Sequence, residues 1–365
     1  MMNKAPIIEK PSPAPPHRPP ARDLSHYLLP ILLLILCVTL TLFFLWVGAR
    51  SASATPPVDP PTTTAPPTET EEHIAVTYPS SPSRESYLLV GDGAAIDGTK
   101  LSASSAILVS LSDFSVKASI KPDERIYPAS MTKIMTLIVA CERIEDASVL
   151  LTVTEDTVNY CARNDAPTLT LDPGDRFSAT DMLYAVGVVS AADACITLAD
   201  HIAGSEETFV AWMNEKCAAL GLTQTHFANS TGLDDDSNYS TAREMAIILS
   251  YALDNPFCRE ILSTNSKTVL GHYTKDGVEK TYDRHLYNTL WSRLKDAGYE
   301  KKIPVTLRSG KTLLGGKTGY TDKGKYCLAS FASDKDGNLY ILVTAAGATV
   351  KTSITDMDAV YTQFP

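Results

Sequence analysis

Residues 127–136 read Tyr-Pro-Ala-Ser-Met-Thr-Lys-Ile-Met-Thr, and the run they open, Met131 to Glu142, is strongly apolar. A helix that is apolar nearly all round belongs inside a domain rather than on its surface. Tyr127-Pro128-Ala129 fits a helix start, so Ser130 and Lys133 stand three apart on one face of its first turn. A lysine drawn into a core loses solvation, its pKa falls, and it can act as a base toward a neighbouring hydroxyl. Spacing alone has little value. Ser292-Arg293-Leu294-Lys295 repeats it in polar surroundings where nothing desolvates the lysine. Setting makes Ser130 and Lys133 the candidates.

Outward from this helix the chain alternates between two kinds of element. Ala106–Val109 and Val116–Ile120 are β-prone runs around Ser112-Asp113-Phe114, which predicts a hairpin. Thr180–Ile202, Glu206–Leu220 (ended by Gly221) and Thr241–Leu253 read as helices. Lys325–Ala332 and Leu339–Ala346 read as strands joined by Asp334-Lys335-Asp336-Gly337-Asn338, and Ser353–Phe364 as a final helix. Strands at both ends with helices between them predict one sheet assembled from distant segments, an α+β domain. The polar stretch from Ser263 to Leu307 is longer than a minimal connection and is expected to decorate the cleft and set substrate choice. There is no internal repeat.

The 365 residues are 44% hydrophobic and 20% charged, with a net charge of −10. A core is affordable, and neither a disordered chain nor a nucleic-acid partner fits that balance. None of the seven His sits at metal-ligand spacing from another, so no metal is expected. Six Cys beyond residue 100 lie mostly in apolar surroundings and read as small buried hydrophobes rather than disulfide partners.

Tyr27–Val47 has the roughly 20 apolar residues that cross a bilayer as a helix. Lys4, Lys10, Arg18 and Arg22 precede it, and after Arg50 no Lys or Arg follows until Arg84. The positive-inside rule puts the N-terminus in the cytoplasm and the remainder outside. The rival is a cleaved signal peptide with Ala52-Ser53-Ala54 as its site, but the long n-region and apolar run favour an uncleaved anchor. The Pro- and Thr-rich segment that follows cannot bury enough surface to fold and reads as a tether. The expected organisation is therefore a cytoplasmic tail (1–26), an anchor (27–49), an extracellular linker (50–86) and a single folded domain (87–365).

Two further segments carry chemistry. Leu313-Leu314-Gly315-Gly316-Lys317-Thr318-Gly319-Tyr320-Thr321 sets glycines on both sides of a Lys-Thr pair, leaving a strand edge that a substrate backbone can approach. Lys317 and Thr318 then offer a cation and a hydroxyl to a carboxylate. Ser190, in Val188-Val189-Ser190-Ala191-Ala192-Asp193, ends an apolar helical run, where a lone serine is ordinarily a cap.

Ser-x-x-Lys, then Ser, then Lys-Thr-Gly is the order found in penicillin-binding proteins and β-lactamases. From about residue 100 to 362 the chain resembles a serine-type D-alanyl-D-alanine carboxypeptidase of the low-molecular-weight penicillin-binding protein family. The likeness extends to Asp200–Ser205, Phe227–Leu233, Tyr239–Ala246, and Gly316–Thr321 followed by Tyr326-Cys327-Leu328.

The resemblance implies a DD-peptidase/β-lactamase-like fold, an antiparallel sheet flanked by helices with an all-helical subdomain. It makes Ser130 the acylated nucleophile, Lys133 its base and Ser190 a proton relay. Lys317 and Thr318 would hold the substrate carboxylate, with Gly319 and Tyr320 in the binding strand. The backbone N–H groups of Ser130 and Tyr320 would form the oxyanion hole. It implies peptidoglycan stem peptides and β-lactam antibiotics as partners, and no metal or organic cofactor.

Two departures stand out. The family's second motif is Ser-x-Asn, and here it reads Ser190-Ala191-Ala192, without the amide that holds the substrate carbonyl. One lost hydrogen bond costs about 1 to a few kcal/mol, which slows turnover without abolishing it. Asp193 would point elsewhere on a helix and is not read as a substitute. The missing Asn supports an alternative, an impaired homologue that binds wall peptides without efficient turnover. A class A β-lactamase would need a deacylating Glu; Glu206 and Glu207 stand at a helix start instead. The second departure is that no small β-domain is expected after the catalytic domain, the N-terminal helix taking over its anchoring.

Overall fold

The computed structural model describes residues 87–299 and 303–364. The expected tail, anchor and linker lie outside these residues, and no helix among the described residues is long and apolar enough to cross a membrane.

The chain forms β1 (Ala94–Ala95), β2 (Ser105–Ser110), β3 (Val116–Ile120), α1 (Lys133–Arg143), β4 (Leu150–Thr152), α2 (Glu155–Arg163), β5 (Arg176–Ser178), α3 (Ala179–Val188), α4 (Ala192–Ala203) and α5 (Glu206–Ala219). It continues with α6 (Ala242–Asp254), α7 (Pro256–Ser263), β6 (Ser266–Lys275), β7 (Val278–Tyr287), α8 (Thr289–Asp296), β8 (Val305–Thr306), β9 (Thr312–Thr321), β10 (Lys325–Ser333), β11 (Leu339–Gly347) and α9 (Val350–Gln363).

Seven strands make the main sheet in the order β1-β3-β2-β11-β10-β9-β8. Only the short β1–β3 pair is parallel. β11 pairs with β2, Ile341 opposite Val109, so the first and last parts of the domain meet inside the sheet.

Alternation along these strands sorts side chains into two cores. Ile107, Val109, Phe331, Ile341 and Val343 join the larger cluster, which includes the apolar residues of α1, α3 and α6. Ala106, Leu108, Leu328 and Leu342 face the other way, toward Leu290 and Leu294 of α8 and Ile354, Met357 and Tyr361 of α9. Helices cover both faces, which is why β2 is buried at every residue and reads as a continuous apolar run.

The α+β reading, the β2–β3 hairpin, the β10–β11 pair and α5 and α6 agree with the sequence. Three expectations need correction. The single helix over Thr180–Ile202 is two, α3 and α4, broken at Val189-Ser190-Ala191, with Ser190 at φ +65°. Apolar periodicity runs through the break and hides it. The helix expected from Met131 begins instead with a 3-10 turn over Ala129–Thr132, and α1 starts at Lys133. The helical region is not all-helical, because β4-β5-β6-β7 form a second, four-stranded sheet beside it. Most of it is the β6–β7 hairpin from the polar 263–307 stretch, whose exposed faces give little apolar signal.

Candidate active site

Ser130 is half-buried on the 3-10 turn that enters α1. The turn is approached closely from two sides, one of which admits only glycine. A Cβ on Gly232 (φ +74°) would lie 2.1 Å from the Ala129 carbonyl oxygen, and one on Gly319 would lie 3.1 Å from the Ser130 nitrogen. Ala129 itself has φ +50°, a conformation that non-glycine residues adopt at a cost of about 1–3 kcal/mol and that collects at functional sites.

Three residues on, Lys133 is buried, with Nζ 3.3 Å from Ser130 Oγ. In a 3-10 turn residues i and i+3 eclipse, which is the geometry the Ser-x-x-Lys spacing needs. The ammonium also donates to the Thr231 carbonyl. That carbonyl is held in place by its neighbours. Ser230 donates from N and Oγ to Glu206 Oε1 (2.9 and 2.6 Å), and Thr136 Oγ1 donates to the Ser230 carbonyl.

On the opposite wall, Lys317 of β9 donates to Ser190 Oγ at 2.9 Å and to the Thr318 carbonyl at 3.0 Å. Ser190 is aimed there by the α3–α4 break. β8 covers β9 only at Thr312 and Leu313, so from Lys317 to Tyr320 no strand among the described residues pairs with the edge opposite β10. Thr318 Oγ1 lies 2.7 Å from Thr289 Oγ1 of α8, and Arg293 of the same helix donates to the carbonyls of Gly319 (2.9 Å) and Cys327 (3.1 Å). Between the walls runs a cleft of about 660 Å³.

Charge in the cleft is unusual. Burial lowers the pKa of Lys133 below the ordinary lysine value. Burial, then repulsion from Lys133 and Arg293, holds Lys317 well below it. Arg293 is brought down only to about 10, again by burial, and stays a cation at neutral pH. Outside the cleft lining, burial pushes Asp193 up to about 6, against the pull of the backbone N–H groups of Leu169 and Ala194 and of Lys133.

The structure brings Ser130, Ser190, Thr318, Gly319 and Tyr320 to one cleft, with Lys133 and Lys317 hydrogen-bonded to its two serines. Thr289, Arg293, Asn164 and Asp234 also line it, and sequence reading missed them. The polar 263–307 stretch gave the only hint of α8. Arg293 lies inside the Ser-x-x-Lys repeat set aside as a solvated surface. Asp193, as expected, does not line the cleft; its carboxylate accepts from Leu169 N.

A family profile described as D-alanyl-D-alanine carboxypeptidase matches residues 93–348. D-alanyl-D-alanine carboxypeptidase DacF of Bacillus subtilis is 32% identical over 246 residues, 67% of this chain and 57% of that protein. DacA of Escherichia coli K12 is 30% identical over 255 residues, 68% of this chain and 57% of that protein. The chain thus spans just under three-fifths of the length of these relatives. Among solved structures, the Streptomyces K15 DD-transpeptidase is similar with a TM-score of 0.63 and 25% identity, covering 73% of this chain and 98% of that one. Penicillin-binding protein 5 of Haemophilus influenzae gives 0.59 and 26%, over 73% and 71%. With its two serine–lysine pairs facing each other across one cleft, this chain belongs to the D-alanyl-D-alanine carboxypeptidase family.

Proposed function

We propose that the protein removes the terminal D-Ala from peptidoglycan stem peptides ending in D-Ala-D-Ala through an acyl-serine intermediate. One observation carries this: Lys133 Nζ, buried and depressed in pKa, sits 3.3 Å from Ser130 Oγ at an open strand edge. Neutral Lys133 takes the Ser130 proton as Oγ attacks the carbonyl carbon of the penultimate residue. The backbone N–H groups of Ser130 and Tyr320 hold the oxyanion. As the C–N bond breaks, the leaving amine takes a proton relayed through Ser190 from Lys317. Water then attacks the acyl-serine, its proton passing back through Ser190 to Lys317 while Lys133 returns its own to Ser130, which releases the shortened peptide and restores both lysines. Thr318 and the permanent cation Arg293 hold the terminal carboxylate; Lys317, desolvated and turned to Ser190, serves proton transfer more than charge pairing.

Tyr27–Val47 anchors the chain in the cell membrane, with the catalytic domain outside on its Pro- and Thr-rich tether. Alkaline phosphatase fused after residue 60 is expected to be active in cells, and an inactive fusion would place the domain in the cytoplasm.

The purified full-length protein is expected to gain the mass of one penicillin and to release D-alanine from a D-Ala-D-Ala peptide, and Ser130→Ala to do neither. An adduct without D-alanine release would instead support the impaired homologue that Ala192 suggests.

A further inference from the structure

Position 192 carries no amide, yet there is no gap beside it. The Ala192 methyl is fully buried in an apolar cluster with Cys161 and Ile196, against which Tyr160 and Ala166 pack. Tyr160 and Cys161 belong to α2, so this helix has closed over the first turn of α4. Two hydrogen bonds tie the segment just after α2 to the start of α4. Ala192 N donates to the Pro167 carbonyl at 2.7 Å, and Leu169 N donates to the Asp193 carboxylate at 2.9 Å.

The same helix delivers a carboxamide to the cleft. α2 ends at Arg163, and its capping residue, Asn164, lines the cleft together with Ser130 and Ser190. No other residue lining that cleft has a carboxamide. Asn164 Nδ2 donates to the Tyr160 carbonyl at 2.8 Å, which orients the side chain, and among the described residues no hydrogen bond engages Oδ1 or the second N–H. Asp165 follows at φ +47°, turning the chain sharply just past the amide.

A peptide lying along the β9 edge presents the outward side of its backbone to this wall. Each amide group that loses water there without a replacement costs about 1–3 kcal/mol. A carboxamide both donates and accepts, matching a peptide unit. We propose that Asn164 is a substrate-binding residue, its carboxamide hydrogen-bonding the backbone of the acyl-donor peptide in place of the amide missing at 192. This rests on the acyl-serine reading above and deepens it: the second motif has been divided, its serine kept on the α3–α4 break and its amide moved to the end of α2.

The test is the second-order rate of penicillin acylation and kcat/KM for D-alanine release, measured on full-length protein. Asn164→Ala is expected to lower both by about 10- to 100-fold. Asn164→Asp, equal in shape but unable to donate when ionised, is expected to fall similarly, and Asn164→Gln to recover part of the loss. Asn164 is exposed and its side chain makes one local bond, so the melting temperature is expected to move by no more than about 2 °C. Asn164→Ala at wild-type rates in both assays would overturn the proposal. Wild-type protein that forms no adduct at all would overturn the acyl-serine reading itself, and this inference with it.

Discussion

A lysine that must accept a proton is useful only where it can lose one, and burial puts Lys133 in that state. Because its pKa is lowered, acylation is expected to rise with pH and level off below the ordinary lysine value of about 10.5. Lys133→Arg, which keeps the charge but cannot deprotonate, is expected to abolish the adduct at every pH. A pH–rate profile of penicillin acylation checks both; a limb with its midpoint at the ordinary lysine value or above would refute the role. Gly319 tests the approach of β9 to the nucleophile turn. A Cβ there meets three atoms of residues 128–130 at 3.1 Å, close enough to push the strand away by a few tenths of an ångström. Gly319→Ala is expected to slow acylation about 10-fold or more while the fold persists, since small misplacements at reacting centres are costly. Stopped-flow acylation beside a melting curve separates the two effects.

Elements differ in how plainly their sequences announce them. α5, α6 and α9 each start at a side-chain cap, Ser205, Thr241 and Thr349; the first two starts were legible, whereas the reading began α9 three residues late, at Ser353. Thr349 forms a reciprocal capping box with Thr352, so Thr349→Ala is expected to cost about 1 kcal/mol, read from denaturant unfolding. The α3–α4 break was not legible. Val188, Val189, Ala191 and Ala192 are as apolar as a continuous helix, and the positive φ of Ser190 is imposed by tertiary packing rather than by a local glycine. The motifs carrying Ser130, Lys133, Lys317 and Thr318 could be read because their chemistry is local. Asn164 and Arg293 could not, since each reaches the cleft from an element whose place only the fold decides. Asp193 tests the α2–α4 junction. Folded Asp193 binds its proton more tightly than the unfolded chain, so folding takes up a proton between about pH 4 and 6. Its contribution to stability is therefore largest at low pH and falls as pH rises through that window, by about 3 kcal/mol at most. The stability of wild type minus that of Asp193→Asn is expected to fall from pH 4 to pH 7 in denaturant titrations, and a flat difference would refute the shift.

The domain holds together through two apolar cores on either side of one sheet, without help from cross-links at Cys161, Cys195, Cys217 or Cys327. Burial pushes the thiols of Cys161, Cys195 and Cys217 up to about 12 and that of Cys327 to about 11. Native protein at pH 8 is expected to leave these four unalkylated by iodoacetamide, as peptide mass mapping would show, and to take up label there only when unfolded. The pairing of β11 with β2 has a different kind of consequence, one that concerns biosynthesis. β2 has no partner on its central side until β11 arrives, and β9, which carries Lys317 and Thr318, is made after every helix described but α9. At roughly 5–20 residues per second, an emerging chain waits on the order of ten seconds or more between β2 and β11. During that wait Ser130 exists without its facing wall. A nascent chain therefore has no assembled cleft around Ser130 until β9 has emerged and docked.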